Sequence, residues 1–449
     1  MVQNLNSRIE SLDLEIGIVG LGYVGLPTAI AFFEAGFSVS AIDKNPGVVS
    51  EISSGRSPIS DPSVNGKLPK LGKRWKVTSS FSDSIPNCDV IIVTVPTPVS
   101  EIYHLDNSHV IQAGKSIFSN LQPERGSIVV LESTVYPGLT RESWVPQVLE
   151  IGLEIGNEVN IAYCPERHNP GDPENQITNT SRIVGSMDVE VGKSLVNLYG
   201  KITQGDVKFV GAIEIAESSK LIENVQRDIN IALVNELSMI LPRLGIDIED
   251  VLDAAETKWN FHRYTPGIGV GGHCIPVDPY FLIDKAHSID YDAQLISAAR
   301  AINNEMPKYV NSEIIKILDS HKIYDSKRTV LILGWSYKPG IGDIRGSPSE
   351  QLARKLHENG IKVFCHDNYV NSSEIPDFVN YVGELSEITN IGLVVLSTAH
   401  DEYVNLNWGE LFTESENRII FDGRRVLDMQ SIMDSGWTIY AIGRPNELV

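Results

Sequence analysis

EIGIVGLGYVG, residues 15–25, is the stretch that decides the fold. Its first six residues (15–20) predict a short buried strand, and the glycine-rich turn GLGYVG (20–25) follows directly. LPTAIAFFEAG (26–36) has helical periodicity, and FSVSAID (37–43) predicts a second strand. A strand, a glycine turn, a helix and a strand make a βαβ unit, which implies a parallel, doubly wound sheet.

The turn matches the G-x-G-x-x-G pattern, and its place between strand and helix is the context that a dinucleotide site needs. Gly20 allows the tight turn, Gly22 lets the backbone approach a pyrophosphate, and Gly25 permits close packing of helix on strand. Asp43 would bind the adenosine ribose and repel a 2′-phosphate, which favours NAD over NADP. Lys44 beside it weakens that inference slightly, and a plain tight turn is the alternative interpretation.

The rest of the chain predicts three parts. Further apolar runs within 88–95, 126–134 and 160–166 extend the first α/β pattern, and residues 212–244 form a long helical stretch with few breakers. A second α/β pattern restarts at Lys327. We therefore predict two Rossmann-like α/β domains joined by a long central helix and a small helical domain. The predicted boundaries are 14–210 for the first Rossmann-like domain, which carries the dinucleotide motif, 211–320 for the central helical domain, and 321–449 for the second Rossmann-like domain.

Composition restricts the class of protein. The chain has 449 residues, 42% of them hydrophobic, which is enough for two or three domains with their own cores. It has no run of 18 apolar residues and a polar start without a signal-like region, so we expect a cytoplasmic protein. The net charge of −21 argues against nucleic acid and membrane as partners. The sequence assigns no role to residues 1–13, for which a disordered lead-in is one interpretation.

The cysteines are scattered. Cys88, Cys164, Cys274 and Cys365 form no CxxC pair and have no zinc-ligand spacing. In a long chain expected to be cytoplasmic, neither a disulfide framework nor a metal site is therefore predicted.

Cys274 stands in GVGGHCIPVDPYF (269–281) and allows three interpretations. A buried filler is the ordinary one for a lone cysteine. A metal site needs partners, and an adjacent residue such as His273 rarely binds the same ion. A nucleophile fits the surroundings better, because the glycines leave room for a substrate and Asp278 could position water or a proton.

This segment resembles the active-site segment of the UDP-glucose/GDP-mannose dehydrogenase family, whose members oxidise the C6 alcohol of a nucleotide sugar to a carboxylate in two NAD-dependent steps. Other motifs share the resemblance in order and spacing from about residue 15 to the C-terminus. They are GIVGLGYVGLP (17–27), ESTVYPG (132–138), AESSKLIENVQRDINIALVNE (216–236), GWSYKPGIGDIRGSPS (334–349) and FDGRRVLD (421–428).

The resemblance implies a covalent mechanism. Cys274 as thiolate would capture the C6 aldehyde as a thiohemiacetal, the second oxidation would leave a thioester, and water would release the acid. Lys220 and Asn224 lie four residues apart on one helix face and would stabilise an oxyanion. A solvated surface lysine is the alternative for Lys220.

Three further residues would serve proton transfer. The resemblance implies that Asp278 and Thr134 would position water and relay protons. It also implies that Glu166 would be the general base for thioester hydrolysis. The catalytic cysteine would lie in the cleft between the α/β domains. The long helix is the family's usual dimer core, so a homodimer or larger assembly is expected. The product would feed surface polysaccharide or glycan synthesis.

The resemblance also assigns binding residues. Lys338 and Arg424 would bind the sugar nucleotide, Arg345 would lie near the cofactor, and either Lys258 or Arg263 would reach a neighbouring subunit's ligand. Ordinary surface cations are the alternative for each. The full set for the cofactor NAD is Gly20, Gly22, Tyr23, Val24, Gly25, Asp43, Lys44, Pro96, Thr97, Thr134 and Arg345. The full set for the UDP-sugar is Glu166, Arg167, Lys220, Asn224, Lys258, Arg263, Gly271, Lys338 and Arg424.

One loop indicates the sugar. Members acting on UDP-glucose typically carry PEFL, whereas this chain has PERHNPG (165–171), which resembles the branch that oxidises UDP-N-acetylhexosamines. Arg167 or Asn169 could bind an acetamido group. UDP-N-acetylglucosamine is the first choice and UDP-N-acetylmannosamine the second, ahead of UDP-N-acetylgalactosamine and UDP-glucose.

Other functions fit less well. A simple two-electron dehydrogenase would not need Cys274, Asp278 or a second nucleotide-binding half. A non-catalytic nucleotide-sugar sensor on the same fold predicts a degraded cysteine, lysine or glycine loop, and none is degraded. A nucleic-acid-binding protein with Rossmann-like units is opposed by the negative charge.

Overall fold

The computed structural model describes residues 2–59, 64, 66–99, 105–167 and 176–445. The chain divides into two compact units, Met1–Glu223 with Tyr280–Tyr291 (unit 1) and Asn224–Pro279 with Asp292–Val449 (unit 2). None of the described helices is long and apolar enough to cross a membrane.

Unit 1 is built on a sheet that has eight strands within the described residues. They are β1 (Glu15–Val19), β2 (Ser38–Ile42), β3 (Trp75–Thr78), β4 (Val90–Val93), β5 (Ser127–Leu131), β6 (Val159–Tyr163), β7 (Arg182–Ser186) and β8 (Val207–Gly211). Their spatial order is β3-β2-β1-β4-β5-β6-β7-β8, and the pair β6–β7 alone is antiparallel among these strands. Strands β4, β5 and β6 are buried along their whole length, as expected for a sheet with helices on both faces.

The helices of unit 1 include one at the N-terminus that the sequence did not predict. They are α1 (Val2–Glu10), α2 (Gly25–Glu34), α3 (Pro46–Ser53), α4 (Phe81–Ser84), α5 (Ser108–Phe118), α6 (Leu139–Glu150) and α7 (Val189–Tyr199). In α1, Ile9 is buried, and both guanidinium ends of Arg8 donate to Asp89 at 2.9 Å. The interpretation of residues 1–13 as a disordered lead-in is therefore wrong, because buried contacts hold this segment.

Helix α8 (Ile213–Ile240) is the predicted long helix, and the division between the units falls within it, after Glu223. Three helices follow before the second sheet: α9 (Ile248–Glu256), α10 (Asp278–His287) and α11 (Gln294–Ser320). Of these, α9 and α10 were not predicted individually, because both are short and α10 follows a segment rich in glycine and proline.

Unit 2 contains the second sheet, which has six strands among the described residues, all of them parallel. They are β9 (Thr329–Leu333), β10 (Lys362–His366), β11 (Asn380–Tyr381), β12 (Leu393–Leu396), β13 (Ile419–Asp422) and β14 (Thr438–Ala441), in the order β11-β10-β9-β12-β13-β14. Its helices are α12 (Pro348–Glu358), α13 (Asp401–Val404) and α14 (Met429–Asp434). The prediction of two Rossmann-like sheets is confirmed.

Candidate active site

Of the three glycines in the turn of unit 1, Gly20 and Gly25 are required by packing, whereas Gly22 is not. Gly20 has φ +94°, and a Cβ added there would lie 3.0 Å from the Thr94 carbonyl oxygen. A Cβ on Gly25 would lie only 1.8 Å from the Gly20 oxygen, so helix and strand require a glycine there. Nothing lies within 4 Å of a Cβ added to Gly22. The space at Gly22, beside the N-terminus of α2, therefore fits a ligand such as a pyrophosphate.

Asp43 follows β2, as predicted, and it also holds the turn. Its carboxylate accepts a hydrogen bond from the Leu21 N–H and another from the Asn45 N–H, both at 2.8 Å. The side chain is only half-buried, so it stays accessible to a ligand. The Lys44 ammonium lies 3.4 Å from Nδ1 of His109. With the open position at Gly22, this acid suits the ribose of a dinucleotide.

The loops after β4 and β5 are joined to each other. The Thr97 hydroxyl donates to the Thr134 carbonyl at 2.8 Å, and the Ser133 hydroxyl donates to the Val95 carbonyl at 2.6 Å. Since β1 lies next to β4, these loops leave the same edge of the sheet as the glycine turn. The structure thus brings together the candidates Pro96, Thr97 and Thr134 at the carboxyl ends of the parallel strands, where ligands bind in open α/β sheets.

Glu217 is a residue that the sequence analysis missed. Its buried carboxylate accepts from the Gly138 N–H at 2.6 Å, from the Thr140 N–H at 3.0 Å and from the Thr140 hydroxyl at 2.6 Å. Burial raises the pKa of this carboxyl, although these hydrogen bonds partly oppose the shift. Glu217 precedes Lys220 by one helical turn, so it fixes the end of the Thr134 loop against the helix that carries Lys220. The sequence signal that could have identified Glu217 was an acidic residue one turn before Lys220 on the same predicted helix.

The loop after β6 carries Glu166 and Arg167. The Arg167 guanidinium forms an ion pair with Glu223 at 2.6 Å and donates to the Ser181 carbonyl at 3.3 Å. Arg167 is thus held by α8. The other candidate for an acetamido contact, Asn169, lies outside the described residues.

Within unit 2, Asn224 and Asp278 form a direct contact. The Asn224 amide donates to the Asp278 carboxylate at 2.5 Å, and the Asp278 N–H donates to the Cys274 carbonyl at 2.8 Å. Asp278 is buried at the start of α10, one turn after Cys274. On α8 the half-buried Lys220 lies one turn before Asn224.

Cys274 differs from the other three cysteines, all four being in the described chain. It is half-buried, whereas Cys88, Cys164 and Cys365 are buried, and that burial raises the pKa of each of their thiols to about 12. A thiol that must react needs access to its substrate, so the half-buried Cys274 is the cysteine suited to be a nucleophile. Among the described residues, no group of three or more His, Cys, Asp or Glu side chains is placed to hold a metal ion.

The glycines before Cys274 serve packing within unit 2. A Cβ on Gly271 would lie 2.7 Å from the Tyr337 Cβ and 2.8 Å from the Pro348 Cδ, and a Cβ on Gly272 would lie 2.9 Å from the Tyr337 ring. The backbone of Gly272 also donates to the Arg345 carbonyl at 3.0 Å. These glycines therefore allow a close approach of the loop after β9, which differs from the interpretation that they leave room for a substrate.

The cationic candidates of the second sheet lie on loops at its carboxyl edge. The Arg345 guanidinium pairs with Asp343 at 2.6 Å, and Lys338 is half-buried in the loop after β9. Arg424 lies beside Gly267, where an added Cβ would be 2.8 Å from an Arg424 Nη atom. Burial lowers the pKa of the Arg424 guanidinium. In the part of the chain that the structure describes, this guanidinium has no ion pair.

Two acids that the sequence analysis did not single out shape these loops. Asp422, at the end of β13, accepts four backbone N–H groups, all at 2.9 Å, from residues 424–427. Asp367, after β10, accepts from the Trp335 N–H at 2.7 Å and the Ser336 N–H at 2.9 Å. Asp422 is the last residue of its strand, and Asp367 directly follows its strand, as Asp43 does. An acid at the carboxyl end of a predicted strand was therefore the available signal.

The two cations proposed for a neighbouring subunit differ. Arg263 pairs with three carboxylates of α9, those of Glu249, Asp253 and Glu256. Lys258 is exposed and has no ion pair with any residue that the structure describes. Of the two, Lys258 is the one whose charge is not already neutralised.

Comparison with known proteins gives consistent matches along the chain. Three models of the UDP-glucose/GDP-mannose dehydrogenase family match: the NAD binding domain at residues 14–203, the central domain at 214–305 and the UDP binding domain at 331–429. A UDP-N-acetyl-D-glucosamine 6-dehydrogenase from Pseudomonas aeruginosa is 38% identical over 399 residues, covering 88% of this chain and 92% of the relative.

A UDP-N-acetyl-D-mannosamine dehydrogenase from Pyrococcus horikoshii is 33% identical over 436 residues, covering 96% of this chain and 99% of the relative. A solved structure of a UDP-D-ManNAc dehydrogenase from Pyrococcus horikoshii superposes with a TM-score of 0.85 at 31% identity, covering 96% of this chain and 99% of that one.

Proposed function

This chain belongs to the UDP-glucose/GDP-mannose dehydrogenase family, and on that premise we propose that it oxidises the C6 alcohol of a UDP-N-acetylhexosamine to the uronic acid. UDP-N-acetylglucosamine is the first choice of substrate and UDP-N-acetylmannosamine the second, because relatives with both names align over most of the chain. The observation that carries the proposal is the half-buried Cys274 followed, one turn later, by the buried Asp278 that Asn224 contacts.

NAD, when bound, would supply the hydride acceptor for both oxidations. The Gly22 backbone and the N-terminus of α2 would bind its pyrophosphate, and Asp43 would bind its ribose. Tyr23 and Val24 continue the turn, and Pro96, Thr97 and Thr134 line the same sheet edge. We propose Arg345 as a further residue near the cofactor.

Cys274 is the proposed nucleophile. The first oxidation converts the C6 alcohol to an aldehyde, and the Cys274 Sγ then bonds to C6 to give a thiohemiacetal. The second oxidation leaves a thioester. Water bonds to C6, the Sγ–C6 bond breaks, and the thiolate is regenerated with the carboxylic acid.

Five further residues have proposed roles in the chemistry at C6. Lys220 supplies positive charge to the oxyanion at C6, and Asn224 offers the second of its two amide hydrogens, since the first is donated to Asp278. Asp278 and Thr134 position water and relay protons. Glu166 accepts the proton of the water that hydrolyses the thioester.

The diphosphate and the sugar are bound by other residues. We assign Lys338 and Arg424 to the diphosphate, because Arg424 lacks an ion pair with the described residues and two cations match two phosphates. Glu166, Arg167 and Gly271 are assigned to the sugar, where Arg167 acts from its ion pair with Glu223.

The oligomeric state is also a proposal. Leu233 and Ile240 on α8 are 53% and 43% exposed, and their spacing of seven residues puts them on one stripe of the helix. We propose that a second copy covers this stripe in a homodimer, with Lys258 as the cation nearest a partner's ligand. Sedimentation of the Leu233→Glu/Ile240→Glu variant should then show a monomer, and an unchanged dimer would contradict the assignment.

The three domain boundaries and the cytoplasmic location stay predictions.

The test is the NADH yield with a limiting sugar, run to completion with UDP-N-acetylglucosamine, UDP-N-acetylmannosamine, UDP-N-acetylgalactosamine and UDP-glucose in turn. Two NADH per sugar with one N-acetylhexosamine would support four-electron oxidation and identify the substrate. Cys274→Ser should abolish steady turnover, whereas Cys88→Ala, which removes a buried thiol elsewhere, should keep the stoichiometry. One NADH per sugar would contradict the nucleophile role, and none with any sugar would favour a non-catalytic sensor.

A further inference from the structure

A buried ionic cluster in unit 1 has no part in the roles assigned above. Its members are Arg182, Glu132, Tyr199 and Cys164, which we call the Arg182 cluster. Arg182 and Glu132 are each 2% exposed, and Tyr199 and Cys164 are completely buried. Burying a charged pair costs free energy even when it is well matched, so such a cluster calls for a functional reason.

Arg182 joins two separate loops. Its Nη1 donates to the Glu132 carboxylate at 3.3 Å and contacts the Cys164 sulfur at 4.0 Å. The Tyr199 hydroxyl donates to the same Glu132 oxygen at 2.7 Å, and the guanidinium lies 5.1 Å from the centre of the Tyr199 ring. Glu132 precedes the candidate catalytic residue Thr134 by two positions.

Cys164 likewise precedes Glu166 by two positions, so one guanidinium contacts the chain just before each of the two proton-transfer candidates. Strand topology explains this placement. Because β7 is antiparallel to β6, its first residue, Arg182, lies near the carboxyl end of β6. The observed pairing of Tyr163 with Gly185, continued by three residues, would bring Arg182 level with Glu166.

We propose that Arg182 is a positioning residue for the hydrolytic half of the reaction, holding Glu166 and the Thr134 loop in one arrangement while the thioester is cleaved. This inference rests on the proposed function, and it adds a residue that the mechanism above does not contain. In the step concerned, water oxygen bonds to C6, its proton passes to Glu166, and the Cys274 sulfur leaves as thiolate.

Electrostatics agrees with this geometry. Burial lowers the pKa of the Arg182 guanidinium, but its interactions with Glu132 and then, in decreasing order, with Cys164, Tyr199 and Glu166 raise it and prevail. Arg182 therefore stays protonated. Its positive charge interacts with the carboxylate of Glu166, the group proposed to accept the proton from water.

The experiment must separate hydrolysis from folding. Arg182→Met alone would leave Glu132 as a buried unpaired charge, so the informative variant is Arg182→Met/Glu132→Gln, which removes both charges. Arg182→Lys keeps the positive charge, and Tyr199→Phe removes a hydrogen bond of the same cluster while leaving Arg182 in place. Each variant is mixed rapidly with NAD and the UDP-sugar, and NADH and the intact protein mass are followed.

In the double variant we expect the first turnover to release NADH at nearly the wild-type rate, followed by a steady rate lower by about tenfold or more. Most subunits should then carry a mass increase equal to the sugar nucleotide less four hydrogens, which is the mass of the thioester adduct. Arg182→Lys should recover steady turnover and lose the adduct, and Tyr199→Phe should resemble wild type.

Two results would overturn the inference. If the double variant loses the first turnover and the steady rate together, with no adduct, Arg182 serves folding alone. If Tyr199→Phe accumulates the adduct equally, the hydrogen-bonded frame and not Arg182 is responsible. A wild-type protein that releases no NADH with any sugar would instead defeat the proposed function, so the two failures are distinguishable.

Discussion

The two sheets place an acid at the same point and use it differently. Asp43 follows β2 and Asp367 follows β10, each one strand away from a glycine turn. Asp43 is half-buried and accepts two backbone N–H groups. Asp367 is completely buried and accepts three backbone N–H groups, while Nε2 of His400 lies 3.1 Å from it. The equivalent position in the two sheets therefore holds an accessible carboxylate in unit 1 and a buried carboxylate in unit 2.

The turns themselves show the same contrast. Gly20 and Gly334 have φ +94° and +86°, and in both turns an added Cβ would crowd the backbone of the adjacent strand's end. Two residues later, unit 1 has the open Gly22, whereas unit 2 has Ser336, whose hydroxyl lies 3.1 Å from Nε2 of His400. In the second turn, side chains of unit 2 such as Ser336 and His400 therefore occupy the space that is open at Gly22. A Rossmann-like sheet does not by itself make a dinucleotide site; the side chains that fill or leave open its turn decide that.

The largest expected difference is in stability. Asp367→Asn should lower the free energy of unfolding of the C-terminal half by about 3 kcal/mol, because it leaves buried donors without a matching acceptor. Asp43→Asn, at the accessible position, should cost under about 1 kcal/mol and weaken NAD binding by about tenfold. Denaturant unfolding and NAD titration of both variants would measure this. Equal losses of stability would remove the distinction between the two acids.

The pH dependence of stability should show the same asymmetry. Burial opposes ionisation of Asp367, but hydrogen bonds from His400 and from the Ser336 and Tyr369 N–H groups prevail and lower its pKa to about 2. Because this folded-state pKa lies below the unfolded value of about 3.9, the stabilisation is complete above that value and is lost as pH falls towards 2. Acid titration should show a loss of roughly 2–3 kcal/mol that is absent in Asp367→Asn. Identical acid curves for both proteins would contradict it.

The smallest effect on stability is expected at Gly22. Gly22→Ala should leave the unfolding free energy within about 0.5 kcal/mol, since nothing lies within 4 Å of the new Cβ, and should weaken NAD binding about tenfold by blocking the pyrophosphate. Gly340→Ala is the control in the loop after β9, where Ser336 already occupies the position equivalent to Gly22. Gly340 has φ +75° and open space, so the change should cost about 1 kcal/mol in strain and leave NAD affinity unchanged. Calorimetric titration with NAD would measure both.

Much of the site was predictable because its signals are local. The glycine turn, Asp43 and the cysteine segment each depend on residues a few positions apart, and the structure keeps them where the spacing indicated. Glu217 was missed because its partners at 138 and 140 are distant in sequence and its acid looks like any helix-surface residue. The interpretation of the glycines near Cys274 as substrate space differed from the structure because Tyr337, which packs against them, is equally distant.

The sequence by itself determined the two α/β patterns, the long helix, the glycine turn and the segment that carries Cys274. These features depend on steric limits of the backbone and on the period of apolar residues, which both act between near neighbours in the chain. Only the tertiary structure decided that β7 runs antiparallel, that Arg182 meets Glu132 and Cys164, that Asn224 meets Asp278, and that α1 is held by Asp89. Each of these depends on which distant groups are buried together, and a buried polar group takes the partner that folding brings to it.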